Sequence, residues 1–313
     1  MTVRPRRRER RSVHGIVLLD KPLGLSSNQA LQVVRGIFHA AKAGHTGSLD
    51  PLATGLLPIC LGEATKIAGL LLGSRKAYAA ECLLGVRTNT DDAEGEVVAE
   101  RAVPMLDTAM LDTQLQAFVG RIQQVPPAYS ALKRDGVPMY VRARRGEDVK
   151  LDAREVQVHA IELLGFDGRR LRFRVECGSG TYIRSLARDL GERIGCGAHL
   201  TALRRTWVEP FRTPRMYTLD QLRDAAGQGL DSLDACLLPL EAGLAEMPRL
   251  DLGRADADAL QHGQAVHPEP VPPAGLCRAY GPDGRLLALV EAGPDGRVCV
   301  RRGFNLPAPG GAV

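Results

Sequence analysis

Apolar residues in this chain fall into short runs, alternating sets and helically spaced sets, and their order predicts strands and helices interleaved along one sheet. Residues 15–19 (GIVLL) form a short apolar run that reads as a strand, closed by the turn signal Lys21-Pro22-Leu23-Gly24. Ala30, Val33, Val34, Ile37 and Phe38 then recur at helical spacing, with Ser26 or Ser27 as the N-cap. A Gly-bounded loop spans 44–55, a buried strand is expected at 56–61, and Ala64, Ile67, Ala68, Leu71 and Leu72 predict an amphipathic helix. Residues 76–84 read as a strand and 88–95 as a polar turn region.

The clearest alternation is at 171–177, where Leu171, Phe173, Val175 and Cys177 share one face and Arg172, Arg174 and Glu176 the other. Gly178-Ser179-Gly180 breaks that strand, and a helix is expected from near Thr181, with Ile183, Leu186, Ala187 and Leu190 on its apolar side. Such mixing points to an α/β or α+β sheet domain. Composition shifts near residue 247. Prolines cluster between 268 and 273, and two Pro-Asp-Gly turns, at 282–284 and 294–296, separate short apolar runs, so a small β-rich second domain is expected over 247–313, with 307–313 fraying.

Length fits these two units: 313 residues suffice for one large domain and a small one. The net charge of +5 changes the picture only locally, because residues 1–11 hold six arginines against Glu9 and the remainder balances at 35 basic and 35 acidic residues. That tail is either a solvated end or an electrostatic arm for RNA phosphates. The seven cysteines have no C-x-x-C spacing and sit mostly in apolar runs, which argues for core packing in a reducing compartment and against a zinc site or disulfide framework. No apolar run approaches a membrane span, and the Arg-rich start is not followed by a signal-type segment.

The candidate chemistry lies in Gly44-His45-Thr46-Gly47-Ser48-Leu49-Asp50-Pro51-Leu52-Ala53-Thr54-Gly55. Glycines open backbone geometries closed to other residues, and Pro51 biases Asp50 to an extended conformation. Spacing alone leaves two readings: an Asp-Pro turn, or a carboxylate presented by a rigid loop. This dodecamer resembles the catalytic signature of the TruB family of pseudouridine synthases. Three further segments agree in order: Leu18-Leu19-Asp20-Lys21-Pro22 with Gly24, Ser26, Ser27 and Asn28; Pro126-Pro127-Ala128-Tyr129-Ser130-Ala131; and Gly180-Thr181-Tyr182-Ile183-Arg184 with Leu203-Arg204-Arg205. The resemblance runs from about residue 14 to about residue 210. Ser48 stands where the family often has Ala, a small side chain in either case.

The resemblance implies an α+β fold, a long mixed and mainly antiparallel sheet flanked by helices, with a small C-terminal PUA-like β-barrel domain. The implied division is a basic tail at 1–11, a catalytic domain at 12–246 carrying an RNA-binding insertion at about 124–154, and an RNA-binding domain at 247–313. It also implies isomerisation of uridine 55 in the T loop of tRNA to pseudouridine after base flipping, with no cofactor and no metal, by a cytoplasmic monomer that needs no obligate protein partner. Asp50 would be the nucleophile, at C6 or C1′ of the nucleotide. Arg184 would pair with it in bidentate fashion and keep it ionised. Arg188, one helical turn on, reads as a surface arginine. Tyr78 would pack on the uracil and is a candidate acceptor of the C5 proton. His45 would stack within the refolded RNA loop, Tyr182 and Leu203 would line the uracil pocket, and Lys21, Gly44 and Gly47 would support the loop. Lys133, Arg134, Arg142, Arg144, Arg145, Lys150 and Arg154 make the insertion basic, which suits either a solvated loop or a segment that orders on RNA. Two alternatives stand beside this reading: a non-enzymatic chaperone of tRNA folding, and a catalytic subunit of a guide-RNA-directed rRNA pseudouridine synthase.

Overall fold

The computed structural model of the protein describes residues 10–73, 75–130 and 151–307, with 133, 134, 137–139, 142, 145 and 147 between them. The expectations for 1–9, for most of the basic insertion and for fraying after 307 lie outside the described residues.

An eight-stranded sheet organises the larger unit, in the order β1–β3–β12–β4–β11–β10–β7, with β2 added beside β3. In chain order these are β1 (Gly15–Lys21), β2 (Ala43–His45), β3 (Ala53–Leu61), β4 (Lys76–Leu84), β7 (Gly120–Gln124), β10 (Arg154–Phe166), β11 (Arg170–Cys177) and β12 (Ala198–Val208). A short ladder of β5 (Val86–Thr88) and β6 (Val97–Glu100) and another of β8 (Lys133–Arg134) and β9 (Val137–Pro138) lie outside it. All sheet pairings are antiparallel except β3 with β12, where Ala53, Thr54 and Gly55 run parallel to Leu203, Arg204 and Arg205. The sheet is therefore mixed and mainly antiparallel, and its one parallel joint is made by the last three residues of the 44–55 segment.

The sequence pattern accounts for most of these elements. In β11 the apolar set Leu171, Phe173, Val175 and Cys177 is buried while Arg170, Arg172 and Arg174 face out, as period two requires. Helix α1 (Ser27–Ile37) begins at Ser26, whose side chain accepts from the Gln29 N–H while the Gln29 side chain accepts from Ser26 N–H, a reciprocal cap that satisfies two otherwise unpaired donors. The helix expected at 64–72 is only partly one. Gly62–Ile67 is a 3₁₀ turn and α2 (Ala68–Leu71) adds four residues, because Gly69 and Gly73 favour no longer helix and Leu72 is exposed. Helix α3 (Thr108–Gln116) and helix α4 (Ile183–Ile194) pack on the sheet, and α4 starts two residues later than Thr181. Helices α5 (Leu219–Gln228) and α6 (Leu230–Asp234) complete that layer. Arg11, placed in the basic tail by composition, is part of the fold: its backbone N–H donates to the His39 carbonyl and its guanidinium pairs with Asp234.

A smaller unit, built on a second sheet, begins at Arg249. Strands β13 (Arg249–Asp251), β14 (Gly275–Tyr280), β15 (Leu286–Ala292) and β16 (Val298–Gly303) form a four-stranded sheet in that order, and among the described residues it does not close into a barrel. Both Pro-Asp-Gly turns make hairpins, since Asp283 and Asp295 accept the N–H two residues on and Gly284 and Gly296 take positive φ. Helix α7 (Arg254–Gln261) was not expected from the sequence. Tyr280, Leu286, Leu289 and Phe304 of this unit share an apolar core with Ile16, Leu56, Ile67 and Leu244 of the larger one. Six of the seven cysteines are buried and all are free, as their apolar settings predict. No helix of the described residues is long and apolar enough to cross a membrane.

Candidate active site

The loop between β2 and β3 is fixed from several sides before it presents Asp50. At the start of α1, Ser27 Oγ accepts from Leu49 N–H at 2.7 Å and donates to the Leu49 carbonyl at 3.1 Å. On the other flank, Gly24 N–H donates to the Pro51 carbonyl at 2.9 Å. The turn that carries Gly24 is held by Lys21, a fully buried lysine whose Nζ donates to the carbonyls of Pro22 and Leu25 at 2.8 and 2.6 Å. Burial lowers the Lys21 pKa to about 8, with nearby Asp50 opposing. Lys21 thus braces the turn whose Gly24 N–H holds the loop.

Of the three glycines, only two have backbone demands. Gly47 (φ 134°) and Gly55 (φ 93°) lie where other residues are strained. A Cβ on Gly55 would stand 2.2 Å from the Arg205 carbonyl across the parallel joint. Gly44 instead belongs to β2, and a Cβ there would make only an ordinary contact with Thr65 at 3.9 Å.

Asp50 separates two cavities. One, of about 600 Å³, is lined by Tyr78, Tyr182, Leu203, Lys76 and Arg205 as well as Asp50 and Arg184. The other, of about 820 Å³, is lined by His45, Asn89, Tyr129, Ser130 and Asp92 with the same Asp50 and Arg184. Arg184, on α4, is 5% exposed, and its Nη2 stands 3.0 Å from Asp50 Oδ2. The guanidinium is not dedicated to Asp50 as the bidentate expectation had it. Nη1 meets Asp92 Oδ2 at 3.2 Å and the Thr90 carbonyl at 3.1 Å, and Nη2 also donates to the Tyr129 carbonyl at 2.9 Å. One fork is shared by two carboxylates. Burial pushes the Asp50 carboxyl above the usual carboxylate range, Arg184 opposes, and Asp92 adds to the rise. The open edge of the carboxylate still faces the cavities, with 43% of its side chain exposed.

The other expected residues converge on the same place. Tyr78 is buried on β4, in register with Arg205, and Leu203 sits opposite Ala53 and Ala80 in the same three strands. Burial raises the Tyr78 hydroxyl, and Arg205 opposes through charge and a hydrogen bond. Tyr182 caps α4; its N–H donates to Gln124 Oε1 at 2.8 Å, its carbonyl accepts from Gln124 Nε2 at 3.1 Å, and Arg154 lies 5.1 Å over its ring. Arg154 is thereby engaged with the Tyr182 segment and also donates to the Gly180 carbonyl at 3.0 Å. His45 is half-buried, its Nδ1 near Gly47 N–H at 3.4 Å, and burial followed by the Arg205 charge holds its imidazole below the usual value. Arg188 stays outside the Asp50 pair but is no free surface arginine: it meets Asp91 at 2.9 Å and the Val125 carbonyl at 2.8 Å.

Three participants escaped the sequence reading. Asp92, 2% exposed, looked like one acid of a polar turn; Thr90 Oγ1 and Glu94 N–H hydrogen-bond its Oδ1 at 2.6 and 3.1 Å. Gln124 looked like the edge of the insertion. Arg205 stood inside a quoted motif without a role. Nothing local marks the first two, since their significance comes from contacts with α4, at 58 and 92 residues' distance in sequence.

The chain matches the family described as "TruB family pseudouridylate synthase (N terminal domain)" over residues 35–183. It matches "tRNA pseudouridylate synthase B C-terminal domain" over 184–245 and "tRNA Pseudouridine synthase II, C terminal" over 247–299. The chain belongs to the TruB family of pseudouridylate synthases. It is 57% identical to a tRNA pseudouridine synthase B of Xanthomonas axonopodis pv. citri, covering 94% of this chain and 95% of that protein. A protein of the same name from Xylella fastidiosa is 55% identical over 95% of this chain and 97% of its own length. Among solved structures, a Cbf5-Nop10-Gar1 complex matches with a TM-score of 0.69 and 28% identity over 89% of this chain and 78% of that chain. An H/ACA RNP bound to a substrate RNA containing 2′-deoxyuridine matches with a TM-score of 0.71 and 26% identity over 94% and 86%.

Proposed function

We propose that this TruB-family protein is a tRNA pseudouridine synthase that isomerises uridine 55 of the T loop. The observation that carries the reading is a carboxylate, Asp50, held by a braced loop between two cavities, paired with Arg184 and lining one of those cavities together with Tyr78. The reaction breaks the N1–C1′ bond, turns the uracil and forms a C5–C1′ bond; N1 gains a proton and C5 loses one. Asp50 is suited to act as nucleophile on the flipped nucleotide. Tyr78 and Leu203 make a cavity wall on which a flipped pyrimidine can pack. Base stacking on an aromatic contributes about 1–3 kcal/mol, comparable to the few kcal/mol of unstacking. His45, on the second cavity, fits stacking within the refolded RNA loop. Tyr182 orders the start of the helix that carries Arg184, and Lys21 with Gly47 holds the Asp50 loop.

The partner is the T arm of tRNA, met by a cytoplasmic monomer with no obligate protein partner, and residues 247–313 serve as a small RNA-binding domain. The test is mass-spectrometric mapping of pseudouridine in tRNA incubated with purified wild-type protein and with Asp50→Asn. Turnover in the wild type and its loss by at least about 10³-fold in the variant are expected; equal rates would end the assignment. Identity of 55–57% to named tRNA enzymes, against 26–28% to the guide-RNA complexes, favours the stand-alone reading. Measuring tRNA folding by Asp50→Asn in the same samples separates chaperoning from isomerisation.

A further inference from the structure

Arg205 is 1% exposed, and among the described residues no carboxylate lies within ion-pair distance of its guanidinium. A buried charge without a counter-ion is expensive, so what it holds is informative. Its Nε donates to the Leu56 carbonyl at 2.7 Å and its Nη2 to the Gly47 carbonyl at 3.2 Å. Those carbonyls lie on opposite sides of Asp50 in the chain. Its register partner on β4 is Tyr78, whose raised hydroxyl pKa the guanidinium charge opposes, and both side chains line the cavity beside Asp50. One side chain therefore ties both ends of the aspartate loop together beside Tyr78, which lines the same cavity as Asp50.

We propose that Arg205 is a positioning residue for the isomerisation, locking the Asp50 loop onto the β12–β4 pair that carries Tyr78 so that carboxylate and ring hold a flipped base between them. This rests on the assigned reaction. Arg205 acts through Asp50 and Tyr78 and makes no contact with substrate in this scheme. Its loss should therefore slow the chemical step while leaving RNA affinity nearly intact, because a misplacement of about 1 Å costs on the order of 10²-fold in rate.

The experiment is single-turnover pseudouridine formation in a T-arm stem-loop, with RNA Kd and thermal denaturation, for wild type, Arg205→Met and Arg205→Lys, each with and without Tyr78→Phe. Arg205→Met is expected to lower the rate constant about 100-fold with Kd changed by less than about 3-fold. Arg205→Lys should recover part of the loss, since an ammonium reaches one carbonyl but cannot fork. Adding Arg205→Met to Tyr78→Phe should cost much less than in the wild-type background, the signature of residues that act together. Wild-type rates in Arg205→Met, or rate losses that multiply fully with those of Tyr78→Phe, would overturn the proposal. If Arg205→Met does not fold, Arg205→Lys decides: a slowed rate with unchanged Kd supports the role and a wild-type rate removes it. A wild-type protein that forms no pseudouridine would refute the assigned reaction itself, an outcome distinct from any ranking of the Arg205 variants.

Discussion

At the scale of single residues, Asp50 is held in tension. Burial raises its pKa, and Arg184, shared with Asp92, is the main group favouring the ionised form, with Lys21 adding to it. A carboxyl whose folded pKa lies above its unfolded value is a stability cost that appears as pH rises through the window between the two. Asp50→Asn should therefore leave the melting temperature unchanged or raised while turnover is lost, as thermal denaturation beside the activity assay would show. For the same reason the acid limb of the pH–rate profile should lie above the ordinary carboxylate range near 3.8. Because Asp92 contributes to the rise, Asp92→Asn should move that limb to lower pH while lowering the maximal rate, since Arg184 loses an anchor. An acid limb that stays in place in Asp92→Asn would show that another group sets it. Tyr78→Phe keeps the stacking ring and removes the hydroxyl, so RNA binding should persist while most turnover is lost; unchanged turnover would remove any role for the hydroxyl.

At the scale of elements, the site depends on the parallel joint of β3 and β12. Gly55 there combines φ 93° with a gap of 2.2 Å to the Arg205 carbonyl at the Cβ position. Gly55→Ala should destabilise the protein by about 2–4 kcal/mol through backbone strain and overpacking together. Chemical denaturation would measure this, and a change below about 0.5 kcal/mol would mean that the joint can shift. The elements themselves were largely legible. Alternation in β11, the apolar run of β1 and the Ser26 cap of α1 are local signals read by local physics. The 3₁₀ turn at Gly62–Ile67 was not, because 3.0 and 3.6 residues per turn bury the same few positions over so short a span.

At the scale of the whole molecule, the smaller unit is stitched to the larger by polar contacts above a shared apolar core. Glu63, in the 3₁₀ turn, accepts from Asn305 N–H at 2.7 Å and from Lys66 Nζ at 2.6 Å, and Lys66 also donates to the Gly303 carbonyl at 2.8 Å. Burial works against the Glu63 charge, but these hydrogen bonds win and hold its carboxyl below the usual range. Glu63→Ala should cost about 1–3 kcal/mol and raise hydrogen exchange in β16 ahead of the central sheet; uniform exchange across both units would mean that the contact contributes nothing separable.

The sequence by itself determined the loop, its aspartate and most elements, because glycine conformation, proline bias, capping and hydrophobic period act between near neighbours. The motifs also brought Tyr78, Arg184 and Leu203 forward through resemblance, although spacing alone would have left them as core or surface residues. Only the tertiary structure decided that Arg184 divides its fork between Asp50 and Asp92, that Arg205 joins Gly47 and Leu56 beside Tyr78, and that Gln124 holds the start of α4. Those contacts link strands and helices far apart in the chain, and their partners are chosen by strand order and register, which no local pattern encodes.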